Sequence, residues 1–104
     1  MTKFVFAYHG GKTSMTKEEG QQHMAKWRKW TESLGAALID PGLAVGPSKT
    51  ISAKGVQDNG GANPICGVSV VEADSMESAI DMARPCPHLD IGGSIEIAPA
   101  MMDM

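Results

Sequence analysis

The chain has 104 residues, a formal net charge of −3, 42% apolar and 20% charged residues. This fits one domain spanning 1–104, whose folding buries roughly 65% of the unfolded surface, and it lies far from disordered composition. With no basic excess, a nucleic-acid partner is not expected, and with no run of about 18 apolar residues, neither is a membrane partner.

Lys3 to Tyr8 alternates Phe4, Phe6 and Tyr8 with Val5 and Ala7, and reads as a strand closed by His9-Gly10-Gly11. That apolar start lacks a small-residue cleavage site, so it reads as a strand and not a leader. Thr16 to Leu34 reads as the main helix. Thr16 and Glu19 form a capping box. Met24, Trp27, Thr31 and Leu34 mark an apolar stripe, and His23, Trp27 and Trp30 share a face. Gly35 is placed to stop the helix as a left-handed cap. Of the two tryptophans, at least one is expected in the core, with Trp30 placed nearer a dimer seam.

A second extended stretch, Ala36 to Val45, is bent at Asp40-Pro41-Gly42. Pro41 donates no amide, so an edge position or bulge is expected there. Thr50 to Val56 reads as a short third strand, and Gln57 to Pro64 as a loop. Ile65 to Glu72 is a Val-rich strand. Asp74, with Glu77, is expected to cap a second helix buried through Met76, Ala79, Ile80 and Ala83 and ended by Pro85. Ser94 to Ala98 is the last strand, and Met101 to Met104 a fraying tail.

Strand, helix, extended pair, strand, helix, strand is an α+β, ferredoxin-like β-α-β-β-α-β plan with an extra hairpin segment. Helices would cover one sheet face. The strands are apolar on both sides, so the other face calls for a second copy, and a homodimer is expected.

Three histidines and two cysteines carry the candidate chemistry. His23 titrates near neutrality and suits proton transfer at a cleft between helix and sheet. His9 sits beside Gly10-Gly11, whose amides suit an anion; the competing reading is a solvated loop residue. Cys86 is either a nucleophile activated by His23 or a small apolar filler. Cys66 falls in a strand and reads as core. His88 shares the ambiguity of His9. Glu96 is expected to pair with Lys or Arg, Arg84 being nearest in sequence. No HxH, HxxxH, CxxC, phosphate-loop or dinucleotide motif occurs, so no metal and no cofactor is expected. Two widely spaced cysteines suit a reducing cytoplasm.

Three segments together resemble a known family. Gln22-His23-Met24-Ala25-Lys26-Trp27 resembles the first-helix signature of the YCII-related proteins, including their DGPF-type branch. Ala83-Arg84-Pro85-Cys86-Pro87-His88-Leu89 resembles their turn after the second helix, and Gly92-Gly93-Ser94-Ile95-Glu96-Ile97 with Pro99 their final strand. With the Gly42-Leu43 turn the resemblance covers nearly the whole chain. It implies a dimeric α/β barrel, and one branch resembles a dehydrochlorinase of aromatic degradation. It also implies a helix His beside an Asp that follows the second helix. His23 matches the His, Cys86 stands at the Asp position before Pro87, and Asp58-Asn59-Gly60-Gly61 replaces the DGPF motif. The expected function is a small-molecule-binding dimer with lyase- or isomerase-like proton transfer by His23, its pocket shaped by His9, Trp27 and Cys86. The alternative is a noncatalytic binding or interaction module on the same barrel.

Overall fold

Six strands and two helices follow one another along the chain. The structure is a computed structural model and describes residues 1–103; of the expected Met101–Met104 tail, residue 104 lies outside the described residues. Strand β1 is Thr2–Gly10, helix α1 Lys17–Leu34, strand β2 Leu38–Ala44, and the short strands β3 and β4 are Thr50–Ser52 and Gly55–Gln57. Strand β5 is Ile65–Ala73, helix α2 Met76–Ala83, and strand β6 Gly93–Pro99. The main sheet is antiparallel between neighbours and runs β2-β5-β1-β6, while β3 and β4 form a separate two-stranded sheet. This is the ferredoxin-like arrangement, with the hairpin β3–β4 inserted between β2 and β5.

Alternation along β1 explains the core. Phe4, Phe6 and Tyr8 point to the same face because side chains alternate along a strand. Their cross-strand partners on β5 are Val71, Ser69 and Gly67. Phe4, Phe6, Tyr8 and Val71 are all buried, together with Trp30 of α1 and Ala79 and Ala83 of α2. Ala79 and Ala83 are four residues apart and small, so α2 lies close on the sheet. Trp30, expected near a dimer seam, is instead in this core, and its Nε1 donates to the Met82 carbonyl at 2.9 Å. The large ring thereby fastens α1 to the end of α2 without leaving a polar atom unpaired.

The capping box of α1 forms in full: the Thr16 hydroxyl accepts from the Glu19 amide, and the Glu19 carboxylate accepts from the Thr16 amide. Gly35 has the positive φ that a glycine stop requires, yet its ψ of −128° is not left-handed helical. The chain tightens directly into a 3-10 turn, Gly35–Ala37. The cap of α2 is Ser75 and not Asp74. Because β5 continues to Ala73, the first helical turn starts one residue later than expected, and the Ser75 hydroxyl accepts from the Ser78 amide. Thr50 to Val56 is not one strand but the two arms of the β3–β4 hairpin, since the chain turns at Ala53-Lys54.

Strand β2 is an edge, and its pairing with β5 slips on both sides of Asp40. The bulge holds itself: the Asp40 carboxylate accepts from the Gly42 amide at 2.8 Å, and Ser69 donates to the Pro41 carbonyl at 2.8 Å. Gly42 adopts φ +79°, and a Cβ there would lie 1.6 Å from the Val68 carbonyl oxygen. Backbone cannot yield that much. Gly42→Ala is therefore expected to lower stability by at least about 2 kcal/mol, read as a drop in the urea midpoint; an unchanged midpoint would refute the bulge geometry.

Candidate functional site

A cavity of about 390 Å³ opens between α1, the bulged edge β2 and the start of β5. Helix α1 contributes His23, Met24 and Trp27, and β1 contributes Tyr8. Cys66 and Ser69 of β5 and His88, from the 3-10 turn Pro87–Ile91 after α2, complete the polar wall. The helix supplies His23 and Trp27 together because residues four apart share a face.

The aromatic rings meet edge to face. Trp27 lies 5.3 Å from Tyr8 and 5.3 Å from Trp30, centroid to centroid, and Tyr8 lies 5.6 Å from His88. Such contacts add about 0.5–1.5 kcal/mol each beyond simple burial. Trp27 Nε1 donates to His23 Nε2 at 2.8 Å. His23 thus accepts a hydrogen bond from its helical neighbour, where a solvated helix His would hold water. Its pKa is lowered by desolvation first, then by repulsion from His88 and Lys26, with Asp90 acting the other way.

Tyr8 donates to the Ser69 hydroxyl at 2.9 Å, and Ser69 in turn donates to Pro41. Burial pushes the Tyr8 phenol up to about 12, with Ser69 partly offsetting it; Tyr8 is a hydrogen-bond donor here and not a phenolate. His88 is buried, and its Nε2 donates to the His9 carbonyl at 2.8 Å. A carbonyl only accepts, so His88 carries its proton on Nε2. Gly93 makes room for it: a Cβ there would come within 2.2 Å of that nitrogen.

Of the expected site residues, the structure brings His23 and Trp27 together on the cavity wall. His9 and Cys86 do not line it. His9 remains within β1, on the sheet face away from the helices, and is buried. It is not a solvated loop residue: its Nδ1 lies 3.0 Å from the Asn63 carbonyl and its Nε2 3.0 Å from Glu96 Oε1. The ring thus spans a backbone carbonyl on one side and a carboxylate on the other. Glu96 therefore pairs with His9, while Arg84 pairs with Asp81. Cys86 is 1% exposed in the core, and burial pushes its thiol up to about 11. That is the filler reading and not an activated nucleophile.

Sequence periodicity places Cys66 in the core and puts neither Tyr8 nor His88 at the site, yet all three line the cavity. Pairing of β1 with β5 skips Cys66, since Tyr8 faces Gly67 and His9 faces Ile65. A bulge of this kind re-aims one side chain. Cys66 then reaches the cavity, with Sγ 3.2 Å from the Tyr8 carbonyl and 3.9 Å from His88 Nε2. The available signal was Gly67, since an isolated Gly in a Val-rich strand marks a bulge or close approach. The Cys66 thiol is raised by desolvation, so it too stays protonated at neutral pH. Among the described residues, no cluster of three His, Cys, Asp or Glu side chains is placed to hold a metal ion. No protein-family profile matches the chain, and no curated protein matches it.

Two outcomes are expected from this geometry. Under native conditions iodoacetamide should modify Cys66 and spare Cys86, as read by peptide mass; equal labelling would contradict the burial of Cys86. His23 has a folded-state pKa below its ordinary 6.5, so the native state resists protonation. Its contribution is complete above that value and is lost as pH falls through the interval beneath it. Urea midpoints of wild type should thus fall more steeply below pH ~6.5 than those of His23→Gln; parallel curves would show that His23 titrates alike folded and unfolded.

Proposed function

We propose that this chain binds a compact, partly aromatic small molecule in the cavity beside α1, as a homodimer of the kind formed by the YCII-related proteins. His23 is the residue that meets the ligand, and lyase- or isomerase-like proton handling is the chemistry its position allows. One observation carries the reading: a half-buried imidazole stands on the wall of a largely apolar hollow, hydrogen-bonded by the indole beside it. Apolar walls with a few fixed polar groups are the usual make-up of small-molecule sites. The ferredoxin-like strand order and the three resembling segments support the same kinship.

Self-association is supported by what the fold leaves bare. On the sheet face away from the helices, Val5 pairs with Val70 and Ala7 with Val68, and Leu43 on β2 is 71% exposed. The hairpin β3–β4 projects Ile51 and Val56, which are cross-strand partners and both exposed. A two-stranded hairpin is marginal in water by itself, so a covering surface would stabilise it. Flatness adds to this, as the molecule measures 42 × 41 × 18 Å.

A noncatalytic binding module is the second reading. It is favoured by Trp27, whose N–H occupies the His23 lone pair, and by Cys86, which stands where the resembled family has Asp.

The expected results are a dimer by sedimentation at micromolar concentration and a folded monomer for Val70→Glu. Titration of small aromatic acids, ketones and phenols should move the amide signals of Trp27, Gly67 and Ser69, with affinity at least about tenfold weaker in His23→Ala. Turnover of any such compound separates enzyme from module. A monomeric wild type would remove the barrel, and shifts scattered away from α1 and β5 would remove the site.

A further inference from the structure

The polar hydrogens around the cavity are almost all committed to the protein itself. Tyr8 donates to Ser69, Ser69 to the Pro41 carbonyl, Cys66 to the Tyr8 carbonyl, and His88 Nε2 to the His9 carbonyl. His23 differs. Trp27 Nε1 is a donor with no lone pair to offer, so at 2.8 Å the facing His23 Nε2 must present its own. A neutral His23 then carries its single proton on Nδ1. Among the described residues, no group accepts a hydrogen bond from that nitrogen.

We infer that Trp27 is a positioning residue that locks His23 as the Nδ1–H tautomer, and that His23 consequently recognises compact aromatic ligands through an acceptor oxygen such as a carboxylate, carbonyl or phenolate. The ligand half rests on the binding role proposed above; the tautomer half rests on geometry alone. Desolvation, with His88 and Lys26 nearby, disfavours a second proton on the ring, and Asp90 opposes this. With Nε2 held by an N–H, His23 cannot accept a proton there without releasing Trp27. It works as a neutral donor that polarises an oxygen, a role a neutral imidazole fills when its charged form is disfavoured. A ligand whose polar atom is itself a cationic donor meets no free acceptor on His23.

The test uses the full chain with 15N-labelled histidine, the three rings being assigned from His→Gln variants. Long-range 1H–15N spectra near neutral pH should show His23 with a protonated Nδ1 and an unprotonated Nε2. In Trp27→Phe the Nε2–H form should gain population while amide dispersion is retained. If Trp27→Phe does not fold, the wild-type tautomer decides alone: a His23 protonated on Nε2 overturns the lock. Benzoate, toluene and benzylamine serve as probes of similar size. Benzoate should shift the His23 Nδ1 signal and bind at least about tenfold more tightly than the other two, and this preference should shrink in Trp27→Phe. Equal binding of toluene or benzylamine overturns the ligand class. If no probe or related aromatic binds while the Nδ1–H tautomer is present, the binding role fails and the lock stands. If probes bind to a His23 in the Nε2–H form, the lock fails and the binding role stands.

Discussion

Everything in this protein is hung on the two-residue alternation of β1 between β5 and β6. Phe4, Phe6 and Tyr8 fall on the helix side only in the register that sets them against Val71, Ser69 and Gly67 on one flank and Pro99, Ile97 and Ile95 on the other. A slip of one residue would send all three rings to the opposite face and put Lys3 and His9 under the helices. Trp30, Ala79 and Ala83 have nothing to pack on without those rings. Burying side chains of this size contributes about 1.5–3 kcal/mol each, so the register is strongly specified.

The same strand ends by breaking its own rule, and the break makes the site. At the Tyr8/His9 step the pairing shifts, Cys66 becomes the extra residue, and its thiol is turned toward His88. Across the hollow, the β2 bulge at Asp40-Pro41-Gly42 is fastened to the central strands through Pro41, Ser69 and Tyr8. Two irregularities in neighbouring pairs thus leave a gap that regular strands would have closed. Its polar atoms are mostly satisfied within the protein, which keeps them from imposing the cost of an unpaired buried group.

The chemistry of the two cysteines shows how location outranks identity. Cys86 sits at the position suggested by resemblance, yet it fills the core under Tyr8 and is held far from ionising. Cys66 lies in a Val-rich strand and stands at the cavity. In neither case does a neighbouring cation lower the thiol, so neither is poised as a nucleophile. The imidazoles are likewise distinguished by partner: His88 is held by a carbonyl, His23 by an indole N–H, and His9 by a carbonyl and a carboxylate.

Local signals were legible wherever a few adjacent residues satisfy one another. Thr16 with Glu19, the shared face of His23, Trp27 and Trp30, the bend at Asp40-Pro41-Gly42 and the alternation of Phe4, Phe6 and Tyr8 each follow from helix or strand periodicity and from the donors at hand. That much determined the α+β, ferredoxin-like plan and brought His23 and Trp27 to one wall. Tertiary structure decided the rest. The cap moved to Ser75 because β5 runs on to Ala73, Glu96 met His9 because β1 and β6 are neighbours, and Cys66 reached the cavity because a strand pair slipped. Each depends on which distant strand lies alongside, and spacing along one chain carries no record of that.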